Sequence, residues 1–115
     1  MTTIRELSNL KGRRALITGA AGNLGGVFAD TLAELGADLV LVDLPGSDVE
    51  SLSKSLIQRW GVKIEPRFCD LELSDHRTEL INWMKESGRG LHVLINNAAF
   101  AGSTDLPGWR PSPAE

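Results

Sequence analysis

The sequence has no tyrosine and only one cysteine, Cys69, among its 115 residues. A single cysteine excludes an intrachain disulfide and any metal site built from several cysteines, and it is typical of a reducing compartment. No apolar run approaches the roughly 20 residues that a membrane-spanning helix needs. The N-terminal residues 1–10 lack the apolar core of a secretory signal. We therefore expect a cytoplasmic protein that does not enter a membrane.

Basic residues are also few. The 12 Lys and Arg residues are outnumbered by 15 Asp and Glu, which gives a net charge of -3. Without a basic cluster there is no support for nucleic-acid binding. The length fits one small domain over residues 1–115, or part of a larger domain. An anionic ligand would have to be held by backbone N–H groups and helix ends.

Short apolar runs typical of buried strands alternate with amphipathic stretches typical of helices. The predicted strands cover 14–18, 38–43, 62–68 and 91–95, and helices are predicted at about 24–35, 48–60 and 74–87. Because proline cannot donate to a sheet ladder, Pro66 predicts that the third strand lies at an edge. The order β-α-β-α-β-α-β predicts a doubly wound α/β fold with a parallel sheet of the Rossmann type and right-handed crossovers.

Local signals add further expectations. Helical spacing assigns one apolar stripe of the first helix to the sheet: Leu24, Val27, Phe28, Thr31, Leu32 and Leu35. Ser47 and Glu50 have the spacing of a capping box at the second helix. His76 is expected on the solvated surface of the third helix. The fourth strand, apolar except for His92, is expected to be buried, and an order of the type 3-2-1-4 would leave it at a sheet edge.

The connection between the first strand and the first helix is rich in glycine. Gly19, Gly22 and Gly25 recur every third residue. Glycine lets the backbone approach a ligand closely, and the N–H groups at a helix start attract an anion such as a pyrophosphate. A side chain at Gly25 is expected to block such a ligand with less effect on folding. A tight turn without a ligand is the alternative.

Acidic residues end the next two strands. Asp43 stands where an acid in a dinucleotide-binding unit accepts hydrogen bonds from the adenosine ribose. Its carboxylate would repel a 2′-phosphate, so Asp43 favours NAD over NADP. Asp70, after the third strand, could reach the adenine amino group. For both residues the alternative is an aspartate that only forms a turn.

With the run Asn96-Asn97-Ala98-Ala99, these residues resemble the short-chain dehydrogenase/reductase superfamily over about residues 10–102. The resemblance implies a complete protein that is a homo-oligomer and transfers a hydride between NAD and a small alcohol or carbonyl substrate. It implies the following cofactor contacts: Gly19, Gly22, Asn23, Leu24 and Gly25 at the pyrophosphate, Asp43 at the ribose, Asp70 with Leu71 at the adenine, and Asn96 and Ala98 beside the cofactor.

The sequence departs from the family pattern in two places. Asn23 stands where the standard branch has the middle glycine of its motif, and asparagine tolerates the positive φ expected there. The glycine spacing itself resembles the extended branch of nucleotide-sugar epimerases and dehydratases. The family's catalytic tyrosine, lysine and serine follow the fourth strand by many residues, and this chain has no tyrosine. The resemblance therefore implies an incomplete, N-terminal cofactor-binding part without a catalytic residue.

Two other classes of protein share some of these features. A methyltransferase also uses a glycine turn and an acid after the second strand, although Thr18-Gly19 and the asparagine run argue against it. A non-catalytic nucleotide-binding module is the other alternative. His76 and His92 do not have the spacing of metal ligands, so no metal is expected.

Overall fold

The computed structural model describes Thr3 and residues 8–98. Its elements are β1 (Arg14–Thr18), α1 (Asn23–Glu34), β2 (Asp38–Asp43), α2 (Val49–Trp60), β3 (Ile64–Phe68), α3 (Ser74–Glu86) and β4 (Val93–Asn96). All the strand pairs are parallel, and the strand order is β3-β2-β1-β4. The predicted α/β fold and the edge position of the strand that contains Pro66 are confirmed. Ala99, the last residue of the asparagine–alanine run, lies outside the described residues.

Helices α1 and α2 cover one face of the sheet. The buried residues of α1 are Gly25, Ala29 and Ala33, which recur every fourth residue and so lie on one stripe. The predicted stripe of larger residues is wrong in part, because Leu24 and Val27 are 57% and 60% exposed. The small residues let α1 lie close to the strands, whereas the larger apolar residues flank the contact or face outward.

Helix α3 covers part of the opposite face. The core there consists of Leu16, Val40, Val42 and Cys69, with Leu71, Leu80, Trp83 and Met84 partly buried against it. No residue of α3 is fully buried. Leu94, which pairs with Leu16 and therefore shares its face, is 62% exposed. The expectation of a buried fourth strand is thus wrong, because α3 leaves the β4 side of this face open.

The buried side chain of Arg14 attaches the end of α3 to the sheet. Its guanidinium donates from Nη1 to the Oγ of Ser87 over 2.9 Å. Its Cζ lies 5.4 Å from the ring centroid of Trp83, a distance at which a cation is attracted to an aromatic face. Glu65 lies 3.7 Å from Nη2. One carboxylate therefore faces the charge of Arg14, although Nη2 makes no hydrogen bond among the described residues. The Trp83 ring is shared with Arg67, whose Cζ lies 4.0 Å from the ring centroid.

Helix α2 begins without the predicted capping box. The N-cap residue is Asp48, which makes no side-chain capping bond. Its end is as predicted: Gly61 has φ +70° and its N–H donates to the carbonyl of Ile57. None of the helices that the structure describes has the length and apolar character needed to cross a lipid bilayer.

Candidate functional site

The loop after β1 brings the backbone of Gly19 against Ala98, the residue two positions after β4. Gly19 has φ +65°, and a Cβ on it would lie 2.9 Å from the Cα of Ala98. Real Cβ atoms essentially never come so close to backbone, and the positive φ adds strain for any other residue. Gly19 is therefore required by the meeting of the two strand ends.

Gly25 is buried in the first turn of α1 and packs on the same loop. A Cβ there would lie 2.1 Å from the carbonyl oxygen of Gly19 and 2.8 Å from the Cα of Ala20. The side chain that was expected to block a ligand would instead collide with the protein's own backbone. The expectation that a side chain at Gly25, as in Gly25→Val, affects folding less than ligand binding is therefore wrong. This glycine allows close helix–strand packing.

Gly22 differs from the other two glycines. It is exposed and has an ordinary φ of -76°, and an added Cβ would have as its nearest neighbour only the oxygen of Gly19 at 3.4 Å. Folding therefore does not need glycine at this position, whereas a ligand that approaches the start of α1 does benefit from the missing side chain. The sequence spacing alone could not separate these two uses of glycine.

Within residues 8–98, the backbone N–H groups at the start of α1 are unpaired. Asn23, Leu24 and Gly25 begin the helix, and the first N–H groups of a helix have no acceptor within it. The N-cap makes no side-chain bond and the first turn holds no acidic residue. Asn23 is helical, and no described residue other than glycine has a positive φ, so the conformation expected for Asn23 is wrong. The arrangement suits an anion.

Asp43 connects the end of β2 to the glycine-rich loop. Its Oδ2 accepts a hydrogen bond from the N–H of Ala21 over 2.8 Å, and its Oδ1 accepts one from Leu44 over 2.7 Å. Within residues 8–98 it has no salt-bridge partner. A carboxylate can accept about four hydrogen bonds, so Asp43 retains capacity for hydroxyl groups of a ligand.

The loop between β3 and α3, residues 69–73, is held by side chains of α3. The N–H of Asp70 donates to Nδ1 of His76 over 2.9 Å, and Arg77 donates to the carbonyl of Leu71. Asp70 Oδ1 in turn accepts from the N–H of Glu72 over 3.0 Å. His76 is half-buried, so the expectation of a solvated histidine is wrong. No spacing rule in the sequence links residues 70 and 76 in this way.

The hydroxyl of Thr18 fixes the residues that follow β4. It donates to Oδ1 of Asn96 over 3.1 Å and accepts from the N–H groups of Asn97 and Ala98, each over 3.0 Å. Asn97 Nδ2 also donates to the carbonyl of Gly19 over 3.3 Å. Thr18 and Asn97 are therefore structural members of the site that the sequence-based list of contacts missed. The signal was present, since both residues lie inside the motifs that predicted the site.

A pocket of about 330 Å³ opens where these strand ends meet. Its lining residues are Gly19, Val42, Asp43, Leu44, Cys69, Asp70, Leu71, Glu72 and Ala98. Five predicted contact residues therefore share one pocket: Gly19, Asp43, Asp70, Leu71 and Ala98. The other five are not in its lining. Gly22, Asn23, Leu24 and Gly25 surround the start of α1, and Asn96 accepts from Thr18.

Cys69 forms part of the pocket wall and is only 3% exposed. Burial, and after it the negative charge of Asp70, raises the pKa of the thiol above its ordinary value. The nucleophilic form of cysteine is the thiolate, so at neutral pH Cys69 is a small, neutral wall residue.

A parallel sheet with helices on both faces, and a glycine-rich loop between β1 and the helix that follows it, define a Rossmann-type domain. The chain belongs to the short-chain dehydrogenase family, whose model matches residues 13–109. The members of this family that the chain resembles are oxidoreductases.

Three relatives illustrate the match. A very-long-chain 3-oxoacyl-CoA reductase of Pyrenophora tritici-repentis is 35% identical over 99 residues, which are 84% of this chain and 29% of that protein. L-sorbose reductase from Gluconobacter frateurii, solved with NADPH and L-sorbose, is 25% identical with a TM-score of 0.76, covering 83% of this chain and 36% of that one. NAD⁺-bound xylitol dehydrogenase is 28% identical with a TM-score of 0.74, covering 82% and 36%. The chain thus spans about a third of the length of its relatives.

Proposed function

We propose that this chain binds NAD and forms the cofactor-binding part of an oxidoreductase that interconverts an alcohol and a carbonyl compound. The observation that carries the proposal is the shared pocket, in which Gly19, Asp43, Asp70 and Ala98 come from the ends of all four strands. In open α/β sheets a ligand binds outside the carboxyl ends of the strands. Family membership and the dinucleotides named for two structural relatives support the same cofactor class.

Different residues would hold different parts of the cofactor. The unpaired N–H groups at the start of α1, approached past Gly22, would hold the pyrophosphate. Asp43 would accept the ribose hydroxyl groups, and the loop of Asp70 and Leu71 would hold the adenine. When bound, the nicotinamide would supply the hydride transfer. Asn96 and Ala98 would lie beside the cofactor.

We propose NAD rather than NADP as the preferred cofactor. Asp43 has no cationic partner within residues 8–98, so a 2′-phosphate would lie beside an uncompensated carboxylate. A ribose hydroxyl would instead donate to it, and a hydrogen bond to a charged group contributes about 1.5–3 kcal/mol. The known structures include both cofactors, so this preference depends on Asp43 alone.

Titration of NAD⁺ and NADP⁺ into the natural protein that carries this sequence tests both points. We expect NAD⁺ to bind more tightly by about tenfold or more, since about 1.4 kcal/mol corresponds to a tenfold change in affinity. Asp43→Ser should narrow the difference and Asp43→Arg should reverse it. Asp48→Asn is the control, because it removes a charge at an exposed N-cap outside the pocket. Tighter binding of NADP⁺ by the unmodified protein would contradict the proposed preference.

In this proposal the chain binds the cofactor but does not contain the tyrosine that serves the family as acid and base. We therefore propose that the 115-residue polypeptide alone is catalytically silent. The substrate, a small alcohol or carbonyl compound, would react with catalytic groups that are not part of these 115 residues. Turnover by the natural protein would separate this function from a non-catalytic nucleotide-binding module. Interconversion of nucleotide sugars would favour the extended-branch alternative instead. Cytoplasmic location and a homo-oligomeric state stay predictions.

A further inference from the structure

The loop that forms one wall of the pocket is hydrogen-bonded to a histidine that does not line the pocket. The loop of residues 69–73 contributes Asp70 and Leu71 to the pocket wall. The N–H of Asp70 donates over 2.9 Å to Nδ1 of His76, which lies in the first turn of α3. This bond connects the helix to the residue proposed to contact the adenine.

The bond requires an unprotonated Nδ1. A neutral imidazole can accept at the nitrogen that lacks a proton, whereas both nitrogens of the charged form are donors. Protonation of His76 would therefore place two N–H donors, that of Asp70 and that of Nδ1, 2.9 Å apart with no acceptor between them. Histidine is the side chain that ordinarily changes charge between about pH 5 and 8.

The groups around His76 do not duplicate this contact. A second cavity of about 370 Å³ beside His76 is lined by the charged residues Glu50 of α2, Arg67 of β3 and Glu79 of α3. The carboxylates of Glu50 and Glu79, and that of Asp70 itself, would attract an imidazolium, but none of them accepts the Asp70 N–H in place of Nδ1. The guanidinium of Arg67 lies over the Trp83 ring, 4.0 Å from its centroid. Arg77 holds the same loop at the carbonyl of Leu71, but a guanidinium keeps its charge throughout this range.

We infer that His76 is a positioning residue for the adenosine end of the pocket, and that its protonation weakens nucleotide binding as the pH falls. Neutral His76 holds the Asp70 N–H and with it the orientation of the Asp70 carboxylate and of Leu71. Charged His76 releases the Asp70 N–H, while Arg77 still holds the loop at the carbonyl of Leu71. This inference depends on the proposed function, since it concerns affinity for the same nucleotide.

The test is NAD⁺ affinity by titration calorimetry between about pH 8 and pH 5.5, the range in which histidines titrate, with the natural protein that carries this sequence. Because one hydrogen bond is lost, we expect the affinity for NAD⁺ to fall on the order of fivefold at the acidic end of this pH range. His76→Asn places an acceptor near the Nδ1 position without a titrating group, so it should keep the high-pH affinity at every pH. His76→Phe has no acceptor and should bind weakly throughout.

His92 provides a matched control. Its Nδ1 accepts the N–H of Arg14 over 3.0 Å, the same kind of bond, at the opposite end of β1 from the pocket. His92→Asn should therefore keep the pH dependence of the unmodified protein. A profile that is unchanged in His76→Asn, or abolished in His92→Asn, would overturn the inference and leave the proposed function intact. Absence of NAD⁺ binding at every pH would overturn both.

The unmodified protein gives a second measurement if the variants do not fold. Nitrogen-15 NMR of the imidazole follows protonation of His76 directly. We expect its titration midpoint to coincide with the midpoint of the affinity profile. Midpoints that are clearly separated would contradict the inference.

Discussion

At the scale of single residues, the glycines between β1 and α1 have different physical uses. Alanine at Gly22 meets no close neighbour, whereas alanine at Gly25 would collide with the carbonyl of Gly19. We expect Gly22→Ala to cost only about 0.5–1 kcal/mol of stability, because Gly22 is the N-cap of α1 and alanine is a poorer N-cap than glycine. The same change should weaken nucleotide binding, because its methyl group occupies the approach to the start of α1. Gly25→Ala should destabilise the fold by about 1–3 kcal/mol, the usual cost of overpacking. Chemical denaturation and NAD⁺ titration of both variants would measure the two effects.

Gly26 supplies the control for this series. An alanine Cβ at Gly26 would have only the oxygen of Ala20 within reach, at 3.9 Å, and alanine favours a helix over glycine by about 0.8–1.0 kcal/mol. Gly26→Ala should therefore stabilise the protein slightly without changing its affinity. Equal losses of stability in Gly22→Ala and Gly25→Ala would contradict the conclusion that Gly25 serves packing whereas Gly22 serves ligand approach.

At the scale of elements, the joint between β1 and β4 depends on one hydroxyl group. Thr18→Val would leave the N–H groups of Asn97 and Ala98 without the acceptor they share. Since an unsatisfied polar group costs about 1–3 kcal/mol, we expect a loss of stability of that order, and Thr18→Ser should restore most of it. Thr31→Val, which removes a hydroxyl bonded only within α1, should change stability little. Equal effects at the two threonines in thermal unfolding would contradict the importance of this joint.

The elements also show how far the sequence predicts this molecule. Strand and helix order follow from the alternation of apolar runs with helical periodicity, and Pro66 predicts an edge because its missing N–H is a local property. The closely packed stripe of α1 was missed because hydrophobicity favours Leu24 and Val27, whereas the short distance to the sheet selects Gly25 and Ala29. The contact of Asp70 with His76 depends on where α3 docks, which no residue pattern specifies.

At the scale of the whole molecule, the edge strand β4 leads to a prediction about behaviour in solution. Among the described residues β4 pairs only with β1, and Leu94 beside that edge is 62% exposed. Unpaired strand edges and exposed apolar side chains favour association. We expect the isolated 115-residue polypeptide to self-associate and Leu94→Lys to reduce the association. Val27→Lys, at an equally exposed position on α1, should not. Sedimentation velocity would measure this, and a stable unmodified monomer would contradict it.

The joint between β1 and β4 also has a consequence for the order of assembly. The contact of Thr18 with Asn96 spans 78 residues, whereas that of Ala21 with Asp43 spans 22. Closing the longer loop costs roughly 1 kcal/mol more in chain entropy, and it requires β4, the last strand of the described chain to leave the ribosome. The side of the pocket that contains Asp43 can therefore form during synthesis before the wall that contains Ala98. A nascent chain that ends before β4 would hold half a pocket, so on the proposed function tight binding of the nucleotide would begin only once β4 has paired with β1.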